Sequence, residues 1–411
     1  MIREVIVMAM DTSRMEKIKN INSNKFLELL DRAKSLKRSF DYLYKTIDNQ
    51  VLRNQVVDLV ENHYDLGKVV EVYEVFGGYV NRSFGIICER DGQRSEYFVR
   101  KYKASAIDED VALEHKLIKY AVEKGFKEAA YIYVAKDGNT YVKIKEIIGG
   151  KPNTRIFALY EYLGGEDKYT WIDNECSPTE LRNLGALLAR LHNFTRDFSP
   201  GTVSKAEPHI EVLLPDMKRI FTELASQPLD TKFHDFFGMS LPKILEIIDR
   251  NIIPAEAYAK MPKTPIHCDY HAGNVKFDGE ETIGLFDFDW SKIDVRLFDI
   301  CLGLVYCCSS WHVATDGKMR LDDCRYFLEG YNGALDGTGL PKLNETERQY
   351  FPNMVTIAGI YLVYWCTELW YYLDPEGTND YESIYYLIHL VRAMKWIENH
   401  KDDLSTLIES V

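Results

Sequence analysis

The stretch from Ile266 to Asp289, IHCDYHAGNVKFDGEETIGLFDFD, gathers His267, Asp269, Asn274, Asp287 and Asp289 within 23 residues. Two chemistries fit those side chains. The spacing His267-x-Asp269-x-His271 offers two imidazoles and a carboxylate to a transition metal, the donor set of a metal-dependent hydrolase. That reading leaves Asn274, Asp287 and Asp289 without a task and needs further ligands that no His cluster supplies. A second reading uses every member. Asp269 accepts or orients the proton of an attacking hydroxyl. Asn274, five residues on, and Asp287, thirteen after that, hold one hard cation such as Mg²⁺ through oxygen. The cation bridges nucleotide phosphates, and phosphoryl transfer is mostly positioning and charge neutralisation.

The flanking pattern supplies the geometry. Val275-Lys276-Phe277 predicts a short strand and Asp278-Gly279 a tight turn, because Asp-Gly tolerates the positive φ such turns need. Thr282 to Phe288 predicts the return strand. A hairpin brings its ends together, so Asn274 and Asp287 are expected side by side. Upstream, Val69 to Phe76 and Tyr79 to Ile87 predict strands around Gly77-Gly78. Such a turn can bring backbone N–H groups to phosphates, with Gly78, Asn81 and Ser83 as candidate nucleotide contacts. Glu96 to Tyr102 predicts a third strand, with Arg100 and Lys101 on opposite faces, so that one can meet a nucleotide while the other is solvated. Asp108 to Val122 predicts a helix with acids in its first turn. Its Glu114, a solvated residue when read alone, follows a strand bearing a cation and can pair with it. Tyr131 to Val134 and Tyr141 to Glu146 are expected to flank a hairpin turn at Lys136-Asp137-Gly138-Asn139, and Ile156 to Tyr162 to close the block before Gly164-Gly165.

The remainder reads as helical. Ser177-Pro178-Thr179-Glu180 is a helix start, with Ser as N-cap, Pro at the first position and Glu completing a capping box. Helices are predicted over 211–226, 230–252, 298–311, 322–335, 345–373 and 381–407. The run Ile360 to Cys366 is apolar all round and reads as buried, while its aromatics, with Trp370, Tyr371 and Tyr372, could instead line a cage for a cationic substrate. Residues 1–65 read as a helical extension, 66–163 as a nucleotide-binding lobe of about five strands, and 164–411 as a helical lobe carrying the acidic hairpin and the acceptor site.

The chain has 411 residues and a net charge of −13, from 50 basic and 63 acidic residues. That balance favours cationic or neutral partners over nucleic acid or an anionic membrane. Eight cysteines, none in a CxxC pair, read as buried thiols of a reducing compartment. The N-terminus lacks a signal-peptide pattern, and no stretch reaches the roughly 18 apolar residues of a membrane helix. A cytoplasmic protein is expected.

HCDYHAGNV resembles the H-x-D-x-x-x-x-N catalytic loop of the protein-kinase-like superfamily. The Ala-Gly before Asn274 and the hairpin into LFDFDW are similar to the aminoglycoside phosphotransferase, choline kinase and type II homoserine kinase group. The resemblance covers about residues 69–395 and implies an α+β bilobal fold: a small five-stranded antiparallel N-lobe with one helix, an ATP cleft at the hinge, and a large, mainly helical C-lobe. It implies ATP and Mg²⁺ as cofactors and a small hydroxylated acceptor: an amino alcohol, amino sugar, aminoglycoside or homoserine-like compound. Asp269 matches the catalytic base, Asn274 and Asp287 the metal ligands, and Arg100 and Glu114 the strand-three cation and its helix partner. Glu161 and Tyr162 fall at the nucleotide hinge. Asp299 matches a carboxylate that braces the catalytic loop, and His267 is architectural. Asp289 is left between a second-metal role and a loop-holding one. Two departures stand out: Arg100, with Lys101 as alternative, replaces the usual lysine, and Asn81 and Ser83 stand where protein kinases have the third-glycine region, which favours the small-molecule kinases. In addition, no activation segment separates Asp289 from Asp299, which disfavours a protein substrate. The rival reading is a nucleotide-binding pseudokinase or scaffold.

Overall fold

The computed structural model of the protein describes residues 52–75, 81–148, 151–373 and 378–411. Residues 1–51 of the helical extension and the Gly77-Gly78 turn lie outside these segments. Five strands form one antiparallel sheet: β1 (Lys68–Val75), β2 (Arg82–Arg90), β3 (Gln93–Lys101), β4 (Val142–Ile148) and β5 (Lys151–Glu161). Their spatial order is β1-β2-β3-β5-β4. A helix over residues 52–63 (α1) packs beneath it. Its Val56, Leu59 and Val60 meet Phe84, Ile86, Val99 and Leu159 in a closed apolar cluster. Burying each such side chain stabilises the lobe by about 1.5–3 kcal/mol. On the other face lies α2 (Asp108–Glu123), whose Leu113, Leu117 and Ala121 are buried as their spacing predicts.

The expected hairpin between Tyr131–Val134 and Tyr141–Glu146 does not form. Val142 instead opens a strand that pairs along β5. The Tyr131–Val134 segment only bridges to β5 through Ile132 and Tyr160, with Tyr133 N–H donating to Leu159 O. The Lys136–Asn139 turn is present, closed by Ala135 N–H on Asn139 O at 2.8 Å.

The helical lobe begins at α3 (Pro178–Thr195), with the full capping box of Ser177 and Glu180 in place. α4 (Ile210–Ala225) and α5 (Lys232–Asn251) follow, then the strands β6 (Lys263–Ile266), β7 (Val275–Asp278), β8 (Glu281–Leu285) and β9 (Lys292–Val295). α6 (Arg296–Cys308) is buried along nearly its whole length. Its first residue, Arg296, is fully buried and satisfied by Glu347, at 2.8 Å from both Nε and Nη2, and by the Pro341 and Lys342 carbonyls. The chain ends with α7 (Leu321–Ala334), α8 (Glu345–Tyr364), α9 (Asp380–Asn399) and α10 (Lys401–Glu409). The continuous helices predicted over 345–373 and 381–407 are each interrupted. The first changes to a π-helix over Trp365–Tyr371, and the second turns at His400, whose φ is −127°. α3 and α7 cross closely: a Cβ on Gly185 would stand 1.9 Å from Phe327 O. All eight cysteines are buried free thiols.

Candidate active site

The acidic hairpin is built as its sequence requires, with one correction. β7 and β8 pair antiparallel through Val275 and Leu285. Gly279 takes φ +59° in the turn. The return strand stops at Leu285 rather than Phe288, because Asp287 adopts a left-handed conformation, φ +68°. A non-glycine residue held there is uncommon, and such strain concentrates where a side chain must be aimed. Phe286 N–H donates to Asn274 O at 3.1 Å, so the two ends of the hairpin meet.

The loop before β7 is held from below. Asp299, at the start of α6, accepts from His267 N–H on Oδ2 and from Cys268 N–H on Oδ1, each at 2.8 Å, and His192 Nε2 lies 3.0 Å from Oδ2. These bonds fix Cys268 at φ +64°. His267 is buried, and its Nε2 donates to Phe286 O at 3.0 Å. His271 lies against the Tyr306 ring, its Nε2 3.8 Å from Asp269 Oδ2. Burial holds the His271 imidazole down at about 3. The HxDxH hydrolase reading is therefore corrected. His267 is spent on a backbone carbonyl, and among the described residues no group of three His, Cys, Asp or Glu side chains is arranged around a metal.

Asp269, Asn274, Asp287 and Asp289 line one cavity of about 400 Å³, together with Asn81, Ser83, Arg100, Glu114, Glu161 and Tyr162. Gly78 lies outside the described residues. Asp269 Oδ1 accepts from Tyr306 OH at 3.0 Å, and Oδ2 accepts from Asn274 Nδ2 at 3.2 Å. The same amide donates to Asp269 O at 2.9 Å. Arg100 Nη1 stands 2.9 Å from Asp287 Oδ1 and 3.5 Å from Glu114 Oε1. Glu114 is only 2% exposed and also accepts from Tyr102 OH and Tyr160 OH. It is a buried partner, not a solvated helix residue. Lys101 points to the opposite face and bonds Glu146 at 2.5 Å, so Arg100 is the cation of this pair that faces the cleft. Asn81 ties the sheet to the hairpin, its Nδ2 donating to Asp289 Oδ2 at 2.9 Å and its Oδ1 accepting from Lys103 N–H. Ser83 is registered opposite Arg100. Glu161 Oε2 accepts from Tyr131 N–H at 3.2 Å.

The carboxylates crowd one another. Burial, then the charges of Asp287 and Asp289, push Asp269 up to about 8. Burial and Asp287 push Asp289 up to about 6. Asp289 Oδ1 is a buried oxygen with no hydrogen-bond donor, and buried Asp287 Oδ1 has the Arg100 guanidinium beside it but no aligned hydrogen bond. Buried anionic oxygens without donors are the ligand chemistry of a hard divalent cation. The sequence did not single out Tyr306, Lys103 or Lys205. Lys103 Nζ lies 4.5 Å over the Trp290 ring, and Lys205 bonds the Asp289 carbonyl. Tyr306 sits in the last turn of α6, at the end of a buried apolar run, where no local signal marks it.

A five-stranded sheet lobe over a helical lobe, with this cleft lined from both, is the architecture of a protein-kinase-like phosphotransferase. The chain belongs to the phosphotransferase enzyme family (APH), whose family model matches residues 72–336, and it is a small-molecule kinase. It is 26% identical over 325 residues to a homoserine kinase of Ralstonia pickettii (strain 12J), covering 77% of this chain and 86% of that one. The fold matches that of a microcompartment-associated aminopropanol kinase with a TM-score of 0.60 at 15% identity, over 85% of this chain and 98% of the other. It also matches an amicoumacin kinase solved with AMP-PNP, Ca²⁺ and Ami, TM-score 0.58 at 15% identity, over 85% and 93% of the two chains. No described helix is long and apolar enough to cross a membrane.

Proposed function

We propose that the protein transfers the γ-phosphoryl group of ATP, with Mg²⁺, to the hydroxyl of a small metabolite, and that residues 66–163 bind the nucleotide while 164–411 carry the catalytic loop and the acceptor. The observation that carries this reading is the convergence of Asp269, Asn274 and Asp287 in one cleft, with Asp287 Oδ1 paired to Arg100 at 2.9 Å. A relative named as a homoserine kinase and structural neighbours named as aminopropanol and amicoumacin kinases support a small-molecule acceptor.

Asp269 orients the acceptor hydroxyl and takes its proton as the oxygen bonds to the γ-phosphorus. The bond from that phosphorus to the β–γ bridging oxygen breaks, and ADP leaves. Tyr306 and Asn274 hold the Asp269 carboxylate by hydrogen bonds. Asn274 spends its amide protons on Asp269, which leaves its Oδ1 and the Asp287 carboxylate to hold the cation; Asp289 assists from the neighbouring turn. When bound, the cation neutralises phosphate charge. Arg100, backed by Glu114, adds a planar cation at the phosphates. Asn81 and Ser83 contact the nucleotide, Gly78 is retained from the sequence as a further contact, and Glu161 and Tyr162 meet the base at the hinge.

The test is acceptor-dependent ADP release by Asp269→Asn and Asp287→Asn. Each is expected to lose about 10²–10⁴-fold in kcat, with unchanged far-UV circular dichroism. Turnover near wild type in either variant overturns the assignment.

A further inference from the structure

The cavity does not end at Asp269. Beyond Tyr306 it continues into a chamber walled by aromatic rings: Trp171, Trp311, Trp365 and Tyr386 all line it. The Trp171 and Tyr386 ring centroids are 4.4 Å apart, and Trp171 meets Trp311 edge-on at 5.5 Å. Trp311 lies flat on the His389 ring at 3.5 Å and 7°. His389 is fixed in turn, with Nδ1 2.6 Å from Asp316 Oδ1 and Nε2 3.2 Å from Ser309 Oγ. Arg392 holds the other Asp316 oxygen at 2.6 Å. The wall is therefore preorganised and not an adaptable surface.

Its charge is as informative as its shape. The cavity-lining cationic or basic side chains among the described residues are Arg100, Lys276, His271 and His389. Each already faces an acid. Arg100 faces Asp287 and Glu114, Lys276 bonds Asp167 at 2.7 Å, His271 stands by Asp269, and His389 bonds Asp316. Among the described residues, a carboxylate entering the chamber would shed water and meet no uncommitted cation, only ring faces whose π-electrons repel it. The same faces favour an apolar or ammonium end.

Resting on the kinase reading of the cleft, we propose that this chamber is the acceptor site, and that it admits an alcohol whose far end is apolar or cationic and rejects one that ends in a carboxylate. The acceptor specificity of this chain then departs from the homoserine named for its relatives, because homoserine carries the group the wall refuses.

Two matched pairs test it: 3-aminopropan-1-ol against homoserine, and 2-aminoethanol against serine. The members of each pair differ only in the carboxylate. With MgATP, kcat/KM is expected to be at least about tenfold higher for the carboxylate-free member of both pairs. Dissociation constants from quenching of tryptophan fluorescence are expected in the same order. Equal or better use of homoserine or serine overturns the proposal, as does absence of binding by both carboxylate-free members at millimolar concentration. Trp171→Leu is expected to raise the acceptor KM about tenfold and Trp171→Phe to keep it within about threefold of wild type, with the KM for ATP unmoved; an unmoved acceptor KM in Trp171→Leu also overturns it. Asp269→Asn assayed alongside separates the two readings. If homoserine is phosphorylated and that activity is lost in Asp269→Asn, the chamber inference fails while the kinase reading stands.

Discussion

Arg100 reaches from β3 to Asp287, Nη1 to Oδ1 at 2.9 Å, and this ion pair joins the sheet lobe to the acidic hairpin. Burial disfavours the guanidinium charge, but Asp287 and Glu114 outweigh it and hold the group well above its usual range. Removing one partner of a buried pair leaves the other uncompensated, which typically costs about 3–5 kcal/mol. Arg100→Ala is therefore expected to lower the urea midpoint clearly. Arg100→Lys keeps the charge, loses the planar fork that spans two carboxylates, and is expected to retain most of the stability while weakening binding of an ATP analogue. Equal midpoints for wild type and Arg100→Ala would show that the pair contributes nothing.

Tyr306 donates to Asp269 Oδ1 at 3.0 Å from α6. A hydrogen bond to a charged group contributes about 1.5–3 kcal/mol. If that energy fixes the carboxylate for proton transfer, Tyr306→Phe should lower kcat by about ten- to hundredfold and leave the KM for ATP unchanged. Steady-state kinetics at saturating nucleotide measure this directly.

Asp299 is fully buried and accepts from two backbone N–H groups and His192. Asp299→Ala orphans all three donors, and each unsatisfied buried group costs about 1–3 kcal/mol. A loss on the order of 3–5 kcal/mol is expected in chemical denaturation. Asp299→Asn keeps one acceptor oxygen and should fall between wild type and the alanine variant.

His389 and Asp316 give the fold an acid-sensitive contact. Burial pushes the imidazole below its usual 6.5. For Asp316, burial acts upward, but the bonds from His389 and Arg392 prevail and hold the carboxyl below its usual 3.8. A group depressed in the fold stabilises it above the unfolded-state pKa and loses that contribution as pH falls. The His389 share is lost below about pH 6.5, and the Asp316 share only below about pH 3.8. Between about pH 7 and pH 5 the denaturation midpoint should drop in the wild type and drop less in His389→Phe, which keeps a ring against Trp311.

Local chemistry made much of this legible. The spacing of Asp269, Asn274 and Asp287, the Asp-Gly turn and the alternation around it specify a hairpin through short-range geometry alone. The Ser177 capping box does the same for α3. The apolar stripe of α2 placed Leu113 and Leu117 inward, but it left Glu114 undecided. That residue is buried because Arg100, fourteen residues back, and the Tyr102 and Tyr160 hydroxyls meet it there. Residues 131–134 misled because strand-like composition cannot name the partner: they bond β5 at Leu159 and Glu161, beyond the end of β4, instead of pairing with β4.

By itself the sequence determined the proposed reacting group: an acid, an amide and a second acid whose spacing along one loop and hairpin brings them together in any context that lets the hairpin form. The tertiary structure decided what surrounds that group. Alternation put Arg100 and Lys101 on opposite faces, and only the packing of α2 and the hairpin made Arg100 the inward one. Trp171, Trp311, Trp365, Tyr386 and His389 come from two separate loops, a π-helical turn and α9, with intervals that carry no periodicity. Their meeting depends on how the helices cross, and helix crossing is set by side-chain packing over the whole lobe rather than by any run of neighbouring residues.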